Sequence, residues 1–324
     1  MSGVANLSAY QGKRWRARAA SLDSEIEKRN GTWSSMRVDS EYEALKAVLL
    51  YCPGREMADI KHPNAVQHIA RIRPDKIAGE FRRIAAIYRS FKIAVHYIRP
   101  DDLQFGNRLE KYNIMYARDL FMNTREGAIV ARMGSTVRAG EEKFAALALA
   151  QLAVPINKTI SSTGLLEGAD ALWLDPATVV CGLGNRTNRD GFLQVRAVLK
   201  LQGVETLAVR LPAGIQHLLG ILQIVDKRFA LVRTEIAPKR LLNILREKKF
   251  SIIEVPETEE VRVRQGMNVV TIKPRTIIMP ANCPGLKRLY SASGITVAAE
   301  IKIDQLLNGA GGLACATGIL AREI

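Results

Sequence analysis

The residues able to do chemistry lie beside apolar stretches or glycines. They are Glu56, Arg118, Asp119, Arg138, Glu167, Asp170, Arg186 and His217. Cys315 comes almost at the C-terminus, inside Asn308-Gly309-Ala310-Gly311-Gly312-Leu313-Ala314-Cys315-Ala316-Thr317. Thiolate is the reactive form of cysteine, and a glycine-rich bend that brings backbone N–H groups close would favour it. A thiolate also needs a group that moves protons, and histidine is the usual one. Inward-facing carboxylates suit a cation such as guanidinium, which presents five N–H donors in one plane. Burying those carboxylates without a cation would be costly. Taken singly, each charged residue is equally well read as the exposed end of a strand. The glycine-rich segment can equally be read as a mobile tail, although the apolar residues around Cys315 favour an ordered one.

The elements that must position these groups follow from apolar patterning. Strands are expected at Lys46–Cys52, Lys92–Ile98 (closed by Pro100), Asn113–Asp119 running on to Asn123, Gly127–Ala131, Glu205–Arg210, Phe229–Arg233, Phe250–Val255 and Thr296–Ala299. Hairpins are expected at 171–182 and 270–279, and helices at Ala19–Lys28, Ala78–Phe91, Glu141–Leu152, Arg189–Gln202, Pro238–Lys248 and Gly285–Ser293. The pattern is paired short strands, a helix, then a single strand, repeated along the chain. It describes a repeated two-layer α/β unit. No Gly-x-Gly-x-x-Gly is present, so a dinucleotide fold is not indicated.

Composition narrows the classes. The chain has 324 residues, 48% of them hydrophobic, enough for one large core or two smaller ones. Cys52, Cys181, Cys283 and Cys315 form no CxxC pair, which points to a reducing compartment, the cytoplasm, with neither a disulfide framework nor a zinc cluster. Neither a signal peptide nor a membrane span is indicated. The net charge of +15 favours anionic partners. The basic residues are scattered, apart from Lys13, Arg14, Arg16 and Arg18, and lack interleaved aromatics, so nucleic acid is disfavoured. Residues 1–40 read as a basic arm or cap with Trp15 and Trp33 as isolated anchors, and 41–324 as a single domain. Cys52, Cys181 and Cys283 read as buried filler, and His62, His68 and His96 as surface or strand-end residues.

From about Lys46 onward the chain resembles the guanidino-group modifying superfamily of arginine deiminases, dimethylarginine dimethylaminohydrolases and amidinotransferases. The marks are Tyr51-Cys52-Pro53-Gly54-Arg55-Glu56, Tyr116-Ala117-Arg118-Asp119, Leu166-Glu167-Gly168-Ala169-Asp170, Asn185-Arg186-Thr187-Asn188-x-x-Gly191, His217-Leu218 and Gly311-Gly312-Leu313-Ala314-Cys315-Ala316-Thr317. Their order and spacing together carry the likeness.

The resemblance implies an α/β fold of the pentein type, a five-bladed propeller with pseudo-fivefold symmetry and a central pocket. It implies Cys315 as nucleophile, His217 as general acid and base, and Glu167 and Asp119 as carboxylates that hold the guanidinium, with Glu167 also orienting His217. Arg186 and Arg138 would clamp the substrate's α-carboxylate, and Asp170 would support by bonding backbone near Glu167. The implied activity is a hydrolase of the guanidino group of arginine or an N-substituted arginine, passing through a cysteine thiouronium. The alternatives are amidinotransfer to an acceptor amine and a non-enzymatic polyanion-binding protein. No cofactor and no metal is implied, and the partner is a small guanidino molecule, with a homodimer as the expected assembly.

Three departures bear on substrate. Leu219 stands where deiminases and amidinotransferases carry the aspartate of His-x-Asp, which favours a substituted guanidine. Ala169 replaces a glycine. Residues 1–40 lie outside the shared core, and the chain is too short for a large helical lid.

Overall fold

The computed structural model describes residues 4–28, 31–99 and 111–324. The expected closure of the second strand by Pro100 lies outside the described residues. Among these, the sheets are five and each has three strands. Element order explains why. A β-hairpin is followed by a helix that crosses back and delivers a third strand parallel to the hairpin's second one. The first sheet has β1 (Leu45–Leu50) as its centre, with α2 (Pro74–Ser90) leading to β2 (Ala94–Tyr97). A six-residue helix, α1 (Leu22–Glu27), precedes it. The second sheet holds β3 (Phe121–Thr124) and β4 (Gly127–Val130), then α3 (Glu142–Gln151) and β5 (Ile156–Thr159). The third holds β6 (Ala171–Asp175) and β7 (Thr178–Leu183), then α4 (Arg189–Leu201) and β8 (Glu205–Arg210). The fourth holds β9 (Leu222–Asp226) and β10 (Phe229–Val232), then α5 (Lys239–Glu247) and β11 (Ser251–Glu254). A short α6 (Glu259–Arg262) leads to the fifth, with β12 (Val270–Lys273), β13 (Thr276–Pro280), α7 (Pro284–Ala292) and β14 (Thr296–Ile301). After α8 (Asp304–Asn308), β15 (Gly318–Arg322) pairs antiparallel with β1, so the last strand of the chain completes the first sheet.

In every unit the central strand pairs antiparallel with one neighbour and parallel with the other. The helices bury one face each. Ile77, Phe81, Ile84, Ala85 and Tyr88 of α2 are buried, as are Leu241, Ile244 and Leu245 of α5. This spacing of three and four residues is what a helix on a sheet requires.

The structure departs from the sequence reading in three places. The helix expected from Ala78 starts earlier, at Pro74, since proline suits the first helical position. Residues 113–119 are not a strand. Tyr116 N donates to Asn113 O at 3.0 Å and Asp119 N to Tyr116 O at 3.1 Å, a pair of turns ending in a short 3₁₀ helix at Ala117–Asp119. Trp15 is no anchor: it is 55% exposed, as are many residues of the basic arm, whereas Val38 is buried and Asp39 pairs with Arg125.

Candidate active site

A repeated local design assembles the site. Just before the first strand of each hairpin, and before β15, the chain presents one chemistry-bearing residue. Asp119 precedes β3, Glu167 precedes β6, His217 precedes β9, Asn268 precedes β12 and Cys315 precedes β15. Three of these approaches include 3₁₀ turns, at Ala117–Asp119, Gly168–Asp170 and Leu218–Gly220, and the middle turn touches the other two. Gly168 allows that approach: a Cβ there would lie 2.2 Å from the carbonyl oxygen of Phe121.

The glycine-rich tail is ordered. Tyr116 Oη donates to Leu306 O at 2.8 Å, and Tyr88 Oη meets Thr317 Oγ1 at 2.7 Å. The glycines serve contact rather than left-handed backbone. A Cβ on Gly311 would sit 2.1 Å from the Tyr116 ring and one on Gly312 2.6 Å from Asn268, while the positive φ of the segment, 72°, falls on Ala310.

Asn268 fastens the cysteine. Its Oδ1 accepts from Ala314 N at 2.6 Å and Cys315 N at 3.2 Å, and its Nδ2 donates to Cys315 Sγ at 3.2 Å. Facing it, His217 Nε2 lies 2.7 Å from Glu167 Oε2, and His217 Nδ1 lies 3.9 Å from Asp119 Oδ1. Glu167 Oε1 accepts from Gly134 N at 3.1 Å and Arg186 at 3.3 Å. Asp119 Oδ2 accepts from Arg138 at 2.6 Å, whereas Asp119 Oδ1 is buried without a hydrogen-bond partner.

Cys315 and His217 line two cavities. One, of about 30 Å³, is bounded by Asp119, Arg138, Arg186 and Tyr116. The other, of about 380 Å³, opens past Leu219, Gly220 and Met267. A larger groove of about 1130 Å³ beside Glu254, Pro256 and Leu289 contains neither residue.

The electrostatics are those of buried, paired charges. Burial disfavours an ionised Glu167, but His217, Arg138 and Arg186 overcome it and hold its carboxyl down at about 2. Burial likewise opposes a charged His217, and Asp119 with Glu167 overcomes it, carrying the imidazole up to about 9. At Cys315 burial prevails. Together with the negative charge of Asp119 it pushes the thiol up to about 11, against the help of the Gly312 backbone and Asn268. Burial and Asp119 thus disfavour the thiolate at Cys315, while Asp119 and Glu167 favour the imidazolium at His217.

Two sequence-based roles meet a different geometry. Arg138, expected as a clamp for carboxylate, already donates Nε to Glu141 at 2.8 Å, one NH₂ to Asp119 and Glu167, and the other to Asn113 O at 3.3 Å. Those partners raise its pKa in spite of burial. Asp170 accepts from Leu218 N at 2.9 Å, beside His217, and from Thr187 Oγ1 at 2.6 Å, which in turn accepts from Glu167 N at 3.1 Å, so it braces backbone next to His217 directly and next to Glu167 through Thr187. Burial pushes its carboxyl up to about 6, in spite of the nearby His217 charge and these hydrogen bonds. Arg186 lines the smaller cavity with only its Glu167 contact named above. Glu56 bonds Tyr51 Oη and Gly54 N, and Arg118 pairs with Glu41.

His68 is not a surface residue. It is 2% exposed and its Nε2 meets Asn113 Oδ1 at 3.0 Å, bracing the loop that supports Arg138. Cys181 and Cys283 are buried and Cys52 half-buried, and the cysteines are all free. Asp119, Glu167 and His217 offer ligand atoms within 4.8 Å of one another, as a metal site would need. Here three of the four carboxylate oxygens already accept hydrogen bonds from arginine or His217, which works against a divalent ion.

Asn268 and Glu141 were missed by sequence reasoning. The signal for Asn268 was positional: a polar residue just before an apolar strand, in the place where the other units carry Asp119, Glu167 and His217.

Residues 60–320 match the family described as N,N dimethylarginine dimethylhydrolase, eukaryotic. The chain belongs to this family. It thereby falls within the guanidino-group modifying superfamily that the motifs resemble. Solved structures of similar fold include a dimethylarginine dimethylaminohydrolase from Pseudomonas aeruginosa in complex with citrulline, 19% identical, TM-score 0.69, over 85% of this chain and 99% of that one. They also include the N-terminal domain of a cyanobacterial arginine dihydrolase bound to its product, 16% identical, TM-score 0.72, over 86% and 98%. A third is an amidinotransferase of the saxitoxin pathway from Microseira wollei, 14% identical, TM-score 0.69, over 90% and 98%. In sequence, an uncharacterized protein of Aeropyrum pernix is 28% identical over 188 residues, 58% of this chain and 65% of that protein. Among the described residues no helix is long and apolar enough to cross a membrane.

Proposed function

We propose that the protein is a cysteine-dependent hydrolase of the guanidino group of arginine or an N-substituted arginine, giving a ureido product and ammonia or an alkylamine. The observation that carries this reading is the unpartnered, buried Oδ1 of Asp119 beside His217, at a cavity that both Cys315 and His217 line. A buried acceptor without a donor is costly, and a guanidinium N–H would satisfy it. The five sheets are read as blades of a propeller around that cavity, with residues 41–324 as one catalytic domain and 1–40 as an arm. The free cysteines suit a reducing compartment such as the cytoplasm.

The charges suggest an order of events. A cationic guanidinium docks on Asp119 Oδ1 and lies over Sγ. Its positive charge offsets the carboxylate that holds the thiol pKa up, and the thiol loses its proton to water. The thiolate adds to the guanidinium carbon. His217, already an imidazolium, gives a proton to the departing nitrogen as the C–N bond breaks, leaving an S-alkylthiouronium on Cys315. His217, now neutral, takes one proton from water as it attacks; as the C–S bond breaks and C=O forms, the remaining hydroxyl proton passes to the departing sulfur, which restores the thiol. Arg138 is assigned here to holding Asp119 and Glu167 ionised and in place, and Arg186 to the carboxylate end of the substrate. Amidinotransfer differs only in that an amine attacks instead of water, and the 380 Å³ cavity beside Cys315 has room for one.

Arginine, methylarginines and agmatine, each with and without ornithine, test the reading. Acid quenching should trap a thiouronium mass on the C-terminal peptide, with released amine matching ureido product. In Cys315→Ser the adduct should vanish and turnover should fall about 10⁴-fold or more. Product that forms only with the acceptor selects amidinotransfer. Failure of every guanidine to give adduct or product sinks both.

A further inference from the structure

The narrow cavity holds a second unsatisfied acceptor. Gln67 shares its lining with Asp119, and belongs to none of the motifs that carry the family likeness. It ends the 3₁₀ turn Pro63–Val66 with left-handed backbone, φ 66°, a conformation uncommon outside glycine. Its Nε2 donates to Ser135 Oγ at 2.7 Å, which ties the amide to the loop before Arg138. Its Oε1 is buried and accepts no hydrogen bond. Among the described residues, Gln67 Oε1 and Asp119 Oδ1 are the buried side-chain acceptors of this lining left without a donor.

The neighbouring groups direct their donors elsewhere. Asn113 Nδ2 donates to Val66 O at 3.0 Å, and Tyr116 Oη to Leu306 O at 2.8 Å. Arg138 serves Asp119 Oδ2, Glu141 and Asn113 O, and Arg186 serves Glu167. Two desolvated acceptors without donors are unfavourable, so the cavity favours an occupant rich in N–H. Its size limits that occupant. At about 30 Å³ the space takes little more than a water, so one terminal nitrogen with its hydrogens enters and the rest of a ligand stays outside.

We propose that Gln67 is a specificity-determining residue: its Oε1 accepts one N–H of an unsubstituted guanidinium nitrogen in the narrow cavity, while Asp119 Oδ1 accepts the other. The inference rests on the hydrolase reading above and adds a residue to its binding site. A nitrogen that carries both hydrogens satisfies both acceptors at once. Being neutral, Gln67 supplies its acceptor without adding to the negative charge of Asp119 that raises the Cys315 pKa.

The test is binding of arginine and N-methylarginine to the Cys315→Ser protein, measured by calorimetry, with Gln67 changed in that background. Gln67→Met keeps the length and removes the acceptor. It should raise Kd about 10- to 100-fold, the worth of one hydrogen bond to a charged group. Gln67→Glu keeps an acceptor at the same reach, and the Ser135 hydroxyl can turn its hydrogen toward it, so Kd should return to the parent value or fall below it. In the protein that keeps Cys315, the loss in Gln67→Met should fall on KM rather than kcat, because the N–H is held both before and during reaction. Gln67→Asn tolerates left-handed backbone but is one carbon too short, and should show the same loss if Gln67→Met folds poorly. An unchanged Kd in Gln67→Met would mean that water serves the buried oxygen. An equal loss in Gln67→Met and Gln67→Glu would mean that Gln67 only braces Ser135. Either result overturns the inference and leaves the hydrolase reading standing. No guanidine bound by the parent and none turned over would remove both.

Discussion

The two sides of Cys315 are built on opposite principles. On one side the chain supplies its own ion network. Asp119, Glu141 and Glu167 are paired with Arg138, Arg186 and His217, and the free space is only about 30 Å³. On the other side Leu219, Met267, Ile215 and Val261 share the walls of about 380 Å³ with amides, Arg233 and Arg262. Buried charges keep their ionisation only when partnered, so the first side fixes acceptors in place before any ligand arrives. The second side has one ion pair of its own, Arg233 with Glu257, and no carboxylate in its lining. On this view the sulfur stands between a preset ion network and a wider space with fewer fixed charges.

The strongest way to break that division is Asp119→Asn. If the network side grips the cation, turnover should fall about 10²- to 10⁴-fold, in the range expected when an aligned charged group is lost from a reacting centre. The same change should act oppositely on the free thiol. Asp119 is one of the groups that raise the Cys315 pKa, so its neutralisation lowers that pKa. Alkylation of Cys315 by iodoacetamide at pH 8 should then speed up, tenfold for each unit of pKa. A variant in which turnover and alkylation fall together would mean a collapsed pocket rather than a lost charge.

Asn268→Ala sharpens the comparison from the other side, with a smaller effect of about 10- to 100-fold on turnover. Asn268 donates to Sγ and lowers the thiol pKa, so its removal should slow alkylation, the reverse of Asp119→Asn. Equal and same-signed changes in both variants would show that neither acts on the thiolate.

Much of this arrangement was legible in the sequence because it follows local rules. The alternation of hairpin, helix and strand showed in apolar periodicity, and β8 was read at Glu205–Arg210 as observed. Asp119, Glu167, His217 and Cys315 announced themselves by residue type. What stayed hidden depends on neighbours remote in sequence. The pairing of β15 with β1 joins residues more than 260 positions apart, and no local pattern marks it. Residues 113–119 are apolar enough for a strand, yet turn to aim Asp119 into the site. Arg138 has the residue type of a substrate clamp, and only the positions of Glu141 and Asn113 show that its donors are taken. The direction of the Cys315 shift likewise depends on burial, which composition around a glycine-rich bend does not give.

The smallest expected effect is on stability, and it isolates the network side without any substrate. The His217 pKa is raised from its ordinary 6.5 to about 9, so its ion pairs contribute fully below 6.5 and are lost as pH rises through 9. The Glu167 pKa is lowered from 4.5 to about 2, so its contribution holds above 4.5 and is lost as pH falls through 2. Asp170 opposes Glu167 in acid. Raised from 3.8 to about 6, it makes the fold gain stability as pH falls through that window. The acid limb therefore mixes two opposite slopes, whereas on the alkaline limb His217 is the one of these three groups that titrates. Melting temperature followed from pH 6.5 to 9.5 should drop by several °C in the native chain. In His217→Gln the drop should be smaller, because the variant has no proton there to lose. Alkaline slopes of equal size in the two proteins would mean that the imidazolium is not held by Asp119 and Glu167, and the narrow side of Cys315 would no longer be a prepaid set of charges.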